Sequence, residues 1–113
     1  MDLPEICMGI YTACDVRVGS FEWDEDKNLL NQDRHGVSFE EATAAFVDRD
    51  RLVFPDTDHS EQEERFFCLG RTIRGVLTVR FTHRPPFIRI IGPGYWRKGR
   101  RIYDDERQKR SLH

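Results

Sequence analysis

Gly75-Val76-Leu77-Thr78-Val79-Arg80-Phe81-Thr82-His83-Arg84-Pro85-Pro86-Phe87-Ile88-Arg89-Ile90-Ile91 alternates side chains with a period of two on both sides of a proline pair. In an extended chain Leu77, Val79, Phe81 and His83 share one face and Val76, Thr78, Arg80 and Thr82 the other. Pro85-Pro86 forces a reversal, after which Ile88 and Ile90 share a face opposite Arg89. Upstream, residues 71–75 have the composition of a hairpin turn and residues 65–69 are strand-like. Leu52-Val53-Phe54 is a further short strand stopped by Pro55, and residues 56–62 form a polar loop or a single turn.

Working outward, the period becomes helical. Asp24 is a helix N-cap with Glu25 and Asp26 in the first turn and Gly36 as the stop, which predicts a helix over residues 25–34. Ser38-Phe39-Glu40-Glu41 reads as a capping box, and Phe39, Ala42, Thr43, Phe46 and Val47 make an apolar stripe, so a second helix is predicted over residues 39–47. Residues 96–109 have helical spacing, supported by Asp105 with Lys109 and Glu106 with Arg110. Phe21-Glu22-Trp23 alternates as a short edge strand. Residues 1–20 are an N-terminal extension whose structure the sequence leaves open, and residues 21–113 form a single domain. The expected fold class is α+β: two N-terminal helices, an antiparallel sheet of three to four strands and a C-terminal basic helix, packed as one sheet against a helical layer.

With 113 residues, 38% hydrophobic and 34% charged, the chain suits one modest globular core. No run approaches the length of a membrane helix, the start lacks the basic region of a secretory signal, and Cys7, Cys14 and Cys68 match no disulfide or zinc spacing. A cytoplasmic protein that does not engage a membrane is expected, with Cys68 a buried thiol. The net charge of −2 hides an asymmetry: residues 1–64 hold 5 Lys+Arg against 17 Asp+Glu, and residues 65–113 hold 13 against 3. Either the basic half meets a polyanion, or the two halves pair on the folded surface.

No phosphate loop, nucleophile elbow or histidine pair at metal spacing is present, so neither a cofactor nor a metal is expected. The chemistry on offer is cationic. Arg80 and Arg89 converge if their strands are neighbours, and Arg97-Lys98-Gly99-Arg100-Arg101 adds four cations flanked by Tyr95, Trp96 and Tyr103. Cations for phosphate and rings for splayed bases are what single-stranded RNA requires; a solvated helix anchored by core aromatics has the same composition. His59 among Asp58, Glu61, Glu63 and Glu64 reads as a surface loop rather than an acid-base group.

Four ordered motifs then stand out. Phe21-Glu22-Trp23-Asp24, the run from Arg34-His35-Gly36 through Ser38-Phe39-Glu40-Glu41-Ala42, His59-Ser60 to Arg65-Phe66, and Ile88-Arg89-Ile90-Ile91 before a basic helix ending in Tyr103 together resemble the BrnT family of toxins. The match spans about residues 21 to 106. The resemblance implies a fold like the RelE-type ribonucleases and a toxin of a bacterial type II toxin-antitoxin system. Such a toxin blocks translation by cutting RNA, on the ribosome or off it, and is neutralised in a hetero-oligomer with a BrnA-like antitoxin. It implies a catalytic site at Arg65, Arg80, Arg89, Arg97, Lys98 and Tyr103, to which the cationic reading adds Tyr95, Trp96, Arg100 and Arg101 as RNA contacts. One departure is notable: many members have a Ser-Ala-Arg-like segment after the last strand, and this chain has Gly92-Pro93-Gly94-Tyr95-Trp96. A site arginine is missing, so either activity is weakened or the aromatics take over substrate contacts. The alternative function is a non-catalytic or degenerate toxin-like protein that binds antitoxin or nucleic acid.

Overall fold

The computed structural model describes residues 15–59 and 63–111. Most of the expected extension, including Cys7 and Cys14, and part of the His59 loop lie outside the described residues. The elements are β1 (Asp15–Val18), β2 (Phe21–Asp24), α1 (Glu25–His35), α2 (Phe39–Ala42) running into a 3-10 turn (Thr43–Val47), β3 (Leu52–Pro55), a 3-10 turn (Thr57–His59), β4 (Arg65–Thr72), β5 (Gly75–Arg84), β6 (Phe87–Gly94) and α3 (Arg97–Ser111).

The class is α+β as expected, but the sheet is larger and mixed. It has six strands in the order β1-β2-β6-β5-β4-β3, and β2 runs parallel to β6 while every other neighbour is antiparallel. Phe21-Glu22-Trp23 is therefore interior rather than an edge. Its pairing with Ile88 and Arg89 closes across most of the chain, which local periodicity does not reveal. Asp15–Val18, within the stretch read as an extension, supplies the true edge through register with β2.

Helices also occupy both faces rather than forming one layer. On one face Val37, Phe39, Ala42 and Ala45 from the α1–α2 layer bury Trp23, Cys68, Leu77, Val79, Phe81 and Ile90. Burying each of the larger of these side chains contributes about 1.5–3 kcal/mol. On the other face Tyr103 of α3 packs on Leu69 and Val76, flanked by Ile102 and by Leu52 and Phe54 of β3. The two faces of β5 are divided as its period-two pattern requires. Cys68 is fully buried, and burial pushes its thiol up to about 12, so it is an inert part of the core.

The helix ends follow the local signals. The Asp24 carboxylate accepts from the Asp26 and Lys27 amides, Gly36 closes α1 in a left-handed conformation, and the Ser38 hydroxyl accepts from the Glu41 amide. The second helix differs from expectation: after Ala42 it tightens to 3-10, so the predicted helix over residues 39–47 is two unlike segments. α1 is unusual in turning amides inward. Buried Asn28 donates to Glu25 and Glu40 and accepts from the Phe39 amide at 2.8 Å, while Asn31 donates to the Val37 and Pro93 carbonyls at 2.9 and 3.0 Å. These bonds tie α1 to the following turn and to β6, while Leu29 and Leu30 face solvent.

Candidate active site

α3 covers only part of its sheet face. It lies over β4 and β5 near Leu69, Val76 and Thr78, and the rows of the same face beyond it, toward β2 and β1, carry polar and charged side chains. Register places Arg17, Glu22, Arg89, Thr82 and Arg65 in one row across five strands. Phe67 and Arg80 form the next row on the same face, because cross-strand partners and residues two apart share a side. The register of β5 against β6 shifts between Arg80 and Phe81, a bulge of the kind that re-aims side chains beside sites. Arg65, Arg80 and Arg89 thus share one surface.

Arg89 and Arg80 are each oriented by carboxylates. Arg89 donates to Asp15 at 3.0 Å and to Glu22 at 3.3 Å, and Glu22, itself buried, also accepts from Arg17 at 3.1 Å. Burial alone would ease Arg89 toward deprotonation, but the Asp15 and Glu22 carboxylates more than reverse it and push the guanidinium up. Arg80 donates through Nε to buried Asp56 at 2.9 Å and lies over the Phe67 ring at 5.2 Å. A guanidinium held by one nitrogen still presents others outward. Asp15, Arg17, Glu22, Asp56 and Phe67 are not among the residues the sequence singles out for the site. Only the alternation of Glu22 with Phe21 and Trp23 hints that it faces away from the core.

Lys98 reaches this surface from α3. Together with Arg80 and Phe67 it lines a cleft of about 530 Å³ between the helix and the sheet. The remaining expected residues lie elsewhere. Arg97 and Arg100 line a second hollow with Arg74, Tyr95 and Trp96, and the Tyr95 hydroxyl donates to Glu41 at 2.6 Å while Arg74 lies over its ring. Burial, and then the Glu41 carboxylate, push that hydroxyl's pKa up. Arg101 is exposed on α3, beside Arg97 and Arg100.

Tyr103 is buried beneath α3, where its hydroxyl donates to Asp48 at 2.5 Å; the structure does not bring it to the arginine row. Burial and then Asp48 push its pKa up. Burial opposes ionisation of Asp48 itself, but bonds from the Tyr103 hydroxyl and the Arg71 and Asp50 amides outweigh that and lower its pKa. A depressed folded pKa adds stability that is present above the ordinary carboxylate value and lost as pH falls through the lowered one. Tyr103→Phe is therefore expected to cost about 1–2 kcal/mol at neutral pH. Urea unfolding at a series of pH values should show the gap between variant and parent closing in acid; a gap that widened in acid would refute the linkage.

The charge asymmetry is resolved in part by pairing between the two halves. Arg74, Arg80, Arg84, Arg89, Arg107 and Arg110 all pair with carboxylates of the first half. Arg97, Lys98 and Arg101 have no ion-pair partner among the described residues. Pairing between halves orders the sheet arginines, and the start of α3 stays unneutralised. Among the described residues no three His, Cys, Asp or Glu side chains come together as a metal site, and no helix is long and apolar enough to cross a membrane.

The chain is thus a small α+β domain with three arginines on one sheet face and, among the described residues, cations without an ion-pair partner at the start of its last helix. The family model described as the ribonuclease toxin, BrnT, of type II toxin-antitoxin systems matches residues 23–99, from within β2 to the first turn of α3, and the chain belongs to that family. Membership implies RNA as substrate and an antitoxin as partner. No curated protein matches the chain as an individual relative.

Proposed function

We propose that this protein is a metal-independent endoribonuclease that blocks translation, with Arg65, Arg80, Arg89 and Lys98 as its catalytic residues. The single observation that supports this best is the placement of three arginines in two adjacent rows of one sheet face, with Lys98 and Arg80 lining the same cleft. In this reading the substrate's 2′-hydroxyl attacks the neighbouring phosphorus. A bond forms from the 2′-oxygen to phosphorus as the bond to the 5′-oxygen breaks. The guanidiniums take up the charge developing on the phosphorane oxygens, where planar, fixed donors act without reorganising. The proton of the 2′-hydroxyl passes to solvent water as the 2′-oxygen bonds to phosphorus, and the Lys98 ammonium donates the proton that the leaving 5′-oxygen needs and is itself reprotonated from solvent. Tyr103 serves as the anchor of α3, and Arg97, Arg100, Arg101, Tyr95 and Trp96 guide the strand toward the site, in a layout similar to RelE-type ribonucleases. A BrnA-like antitoxin covers the same cations with carboxylates.

The test is to incubate purified protein in excess chelator with RNA, and in parallel with translating ribosomes, and to map the ends. A 2′,3′-cyclic phosphate and a 5′-hydroxyl are expected, with no cut where the 2′-hydroxyl is absent. Cleavage restored only by Mg²⁺, or a 3′-hydroxyl product, would reject the mechanism. A second reading has its own observation: Arg89 is held between two carboxylates and the family's Ser-Ala-Arg-like segment is Gly92-Pro93-Gly94 here. That favours a degenerate toxin that binds antitoxin or RNA without cutting, and cleavage in neither format would support it.

RNA binding should also be strongly salt-dependent. Removing Arg97, Lys98, Arg100 and Arg101 together should flatten the slope of log K against log salt by about 0.7 for each phosphate that is no longer neutralised. A folded quadruple alanine variant with an unchanged slope would show that the start of α3 does not touch the strand.

A further inference from the structure

We infer that the cleft between α3 and the sheet seats one unstacked nucleobase of the RNA, the base adjoining the phosphate held by Arg80 and Lys98, with Trp96 and the stacked Arg80–Phe67 pair as its stacking surfaces. The inference rests on the ribonuclease reading and adds to it a determinant of where the strand is held. The cleft has a floor of Phe54, Phe67 and Leu69 from the sheet and walls of Trp96 and Ile102. Its volume of about 530 Å³ lies within the range of small-ligand sites.

Three features select a base over an apolar protein side chain. The first is charge: the apolar lining carries Arg80 and Lys98 beside it, and Lys98 has no carboxylate partner among the described residues, which suits a ring joined to a phosphate. The second is stacking geometry: the Arg80 guanidinium already lies over the Phe67 ring at 5.2 Å, and both a guanidinium plane and an aromatic face accept a splayed base. The third is the seating of Trp96. Trp96 remains 42% exposed yet its ring lies against β6 at Gly94, where a Cβ would sit 2.4 Å from it, and its ring centre is 5.6 Å from that of His35 in an edge-to-face pair. An exposed indole fixed in place by a glycine and a neighbouring ring loses little freedom when a base stacks on it. The Gly92-Pro93-Gly94-Tyr95-Trp96 segment that replaces the family's Ser-Ala-Arg-like one is thereby given a use: it trades a cation for a platform.

The experiment uses the whole protein and short mixed-sequence RNAs made uncleavable by 2′-deoxy substitution, with one abasic position moved along the strand. One position should lose about tenfold in affinity, as expected for a stacked base. In Trp96→Leu, intact RNA should bind about tenfold more weakly and the abasic penalty should vanish, with thermal stability confirming the fold. Phe67→Leu, which keeps apolar bulk, should show the same loss of penalty to a lesser degree. A flat abasic scan on the parent, or a penalty that survives in Trp96→Leu, overturns the seat. Arg80→Lys separates the two levels: if it weakens binding while the scan is flat, the RNA site stands and the seat falls, and if it leaves binding unchanged, the ribonuclease reading of this face falls with it. Trp96→Leu that loses a copurifying antitoxin without altering the scan assigns the cleft to protein and also overturns the seat.

Discussion

Lys98→Ala is expected to lower RNA cleavage by about 100-fold or more while leaving the fold intact. Lys98 is exposed in the first turn of α3 and has no ion-pair partner among the described residues, so no buried carboxylate is abandoned when it goes. Alanine is at least as good a helix former, so unfolding should be unchanged within about 0.5 kcal/mol. Most of the effect should appear in the cleavage step, where a positioned proton donor contributes roughly 10²–10⁴-fold, with only the smaller loss in binding expected of one phosphate contact. Arg80→Lys is the companion variant. Arg80→Ala would leave Asp56 buried without the guanidinium, confounding activity with folding, whereas lysine keeps a charge for that carboxylate and removes the planar fork. It is expected to cut more slowly by about 10–100-fold with a melting temperature close to the parent's. Single-turnover cleavage of one labelled RNA by both variants is the measurement. Lys98→Ala at the parental rate would remove lysine from the chemistry, and the arginine row would then have to act alone.

The second large effect is on stability. Gly70→Ala is expected to destabilise the domain by about 3 kcal/mol, near the upper end of what overpacking costs. A Cβ there would sit 2.1 Å from the Ala45 carbonyl oxygen and 2.7 Å from its carbonyl carbon and Cα, and these are main-chain atoms of the 3-10 turn with no rotamer to escape through. The neighbouring thiol of Cys68 also contacts the Ala45 oxygen, at 3.8 Å, so the turn is pressed onto β4 along its length. The melting temperature should fall by about 10–20 °C. Gly92→Ala is the control, because the nearest atom to its Cβ is the Asn31 amide oxygen at 3.7 Å, an ordinary contact. Equal losses in the two variants would mean that strand propensity, not the turn's approach to β4, sets the cost.

The close approach at Gly70 explains why local sequence reveals the second helix only in part. Ser38 and the stripe through Phe39 and Ala42 specify a helix start by local bonds. Whether the segment continues as α-helix depends on Ala45 and Phe46 meeting β4 and β5, and there it tightens to 3-10. The same division runs through the sheet. β4, β5 and β6 are legible because short turns join them and their alternation assigns faces without outside help. β2 is visible as a strand but not as an interior one, because its parallel partner lies more than sixty residues away and no local pattern encodes that pairing.

For the site, the sequence by itself determined the chemical type. It supplied arginines, one lysine cluster with aromatics and no ligand set at metal spacing, and four ordered motifs that pointed to the family the chain proves to belong to. The tertiary structure decided which of those residues share one sheet face. Arg65 and Arg89 share a row only because β4, β5 and β6 are neighbours in one register, and Arg89 meets Glu22 and Asp15 only because β2 and β1 extend the sheet on its far side. Tyr103 resembles a member of the cationic cluster because it follows it along the helix. One turn beyond Gly99, which is buried against Leu69 and Thr78, its position faces Leu69 and Val76, so its hydroxyl ends on Asp48, away from the arginine row. Chemical type is a property of side chains and their local spacing, whereas convergence depends on contacts between residues far apart in the chain, whose closure is set by the packing of the whole core.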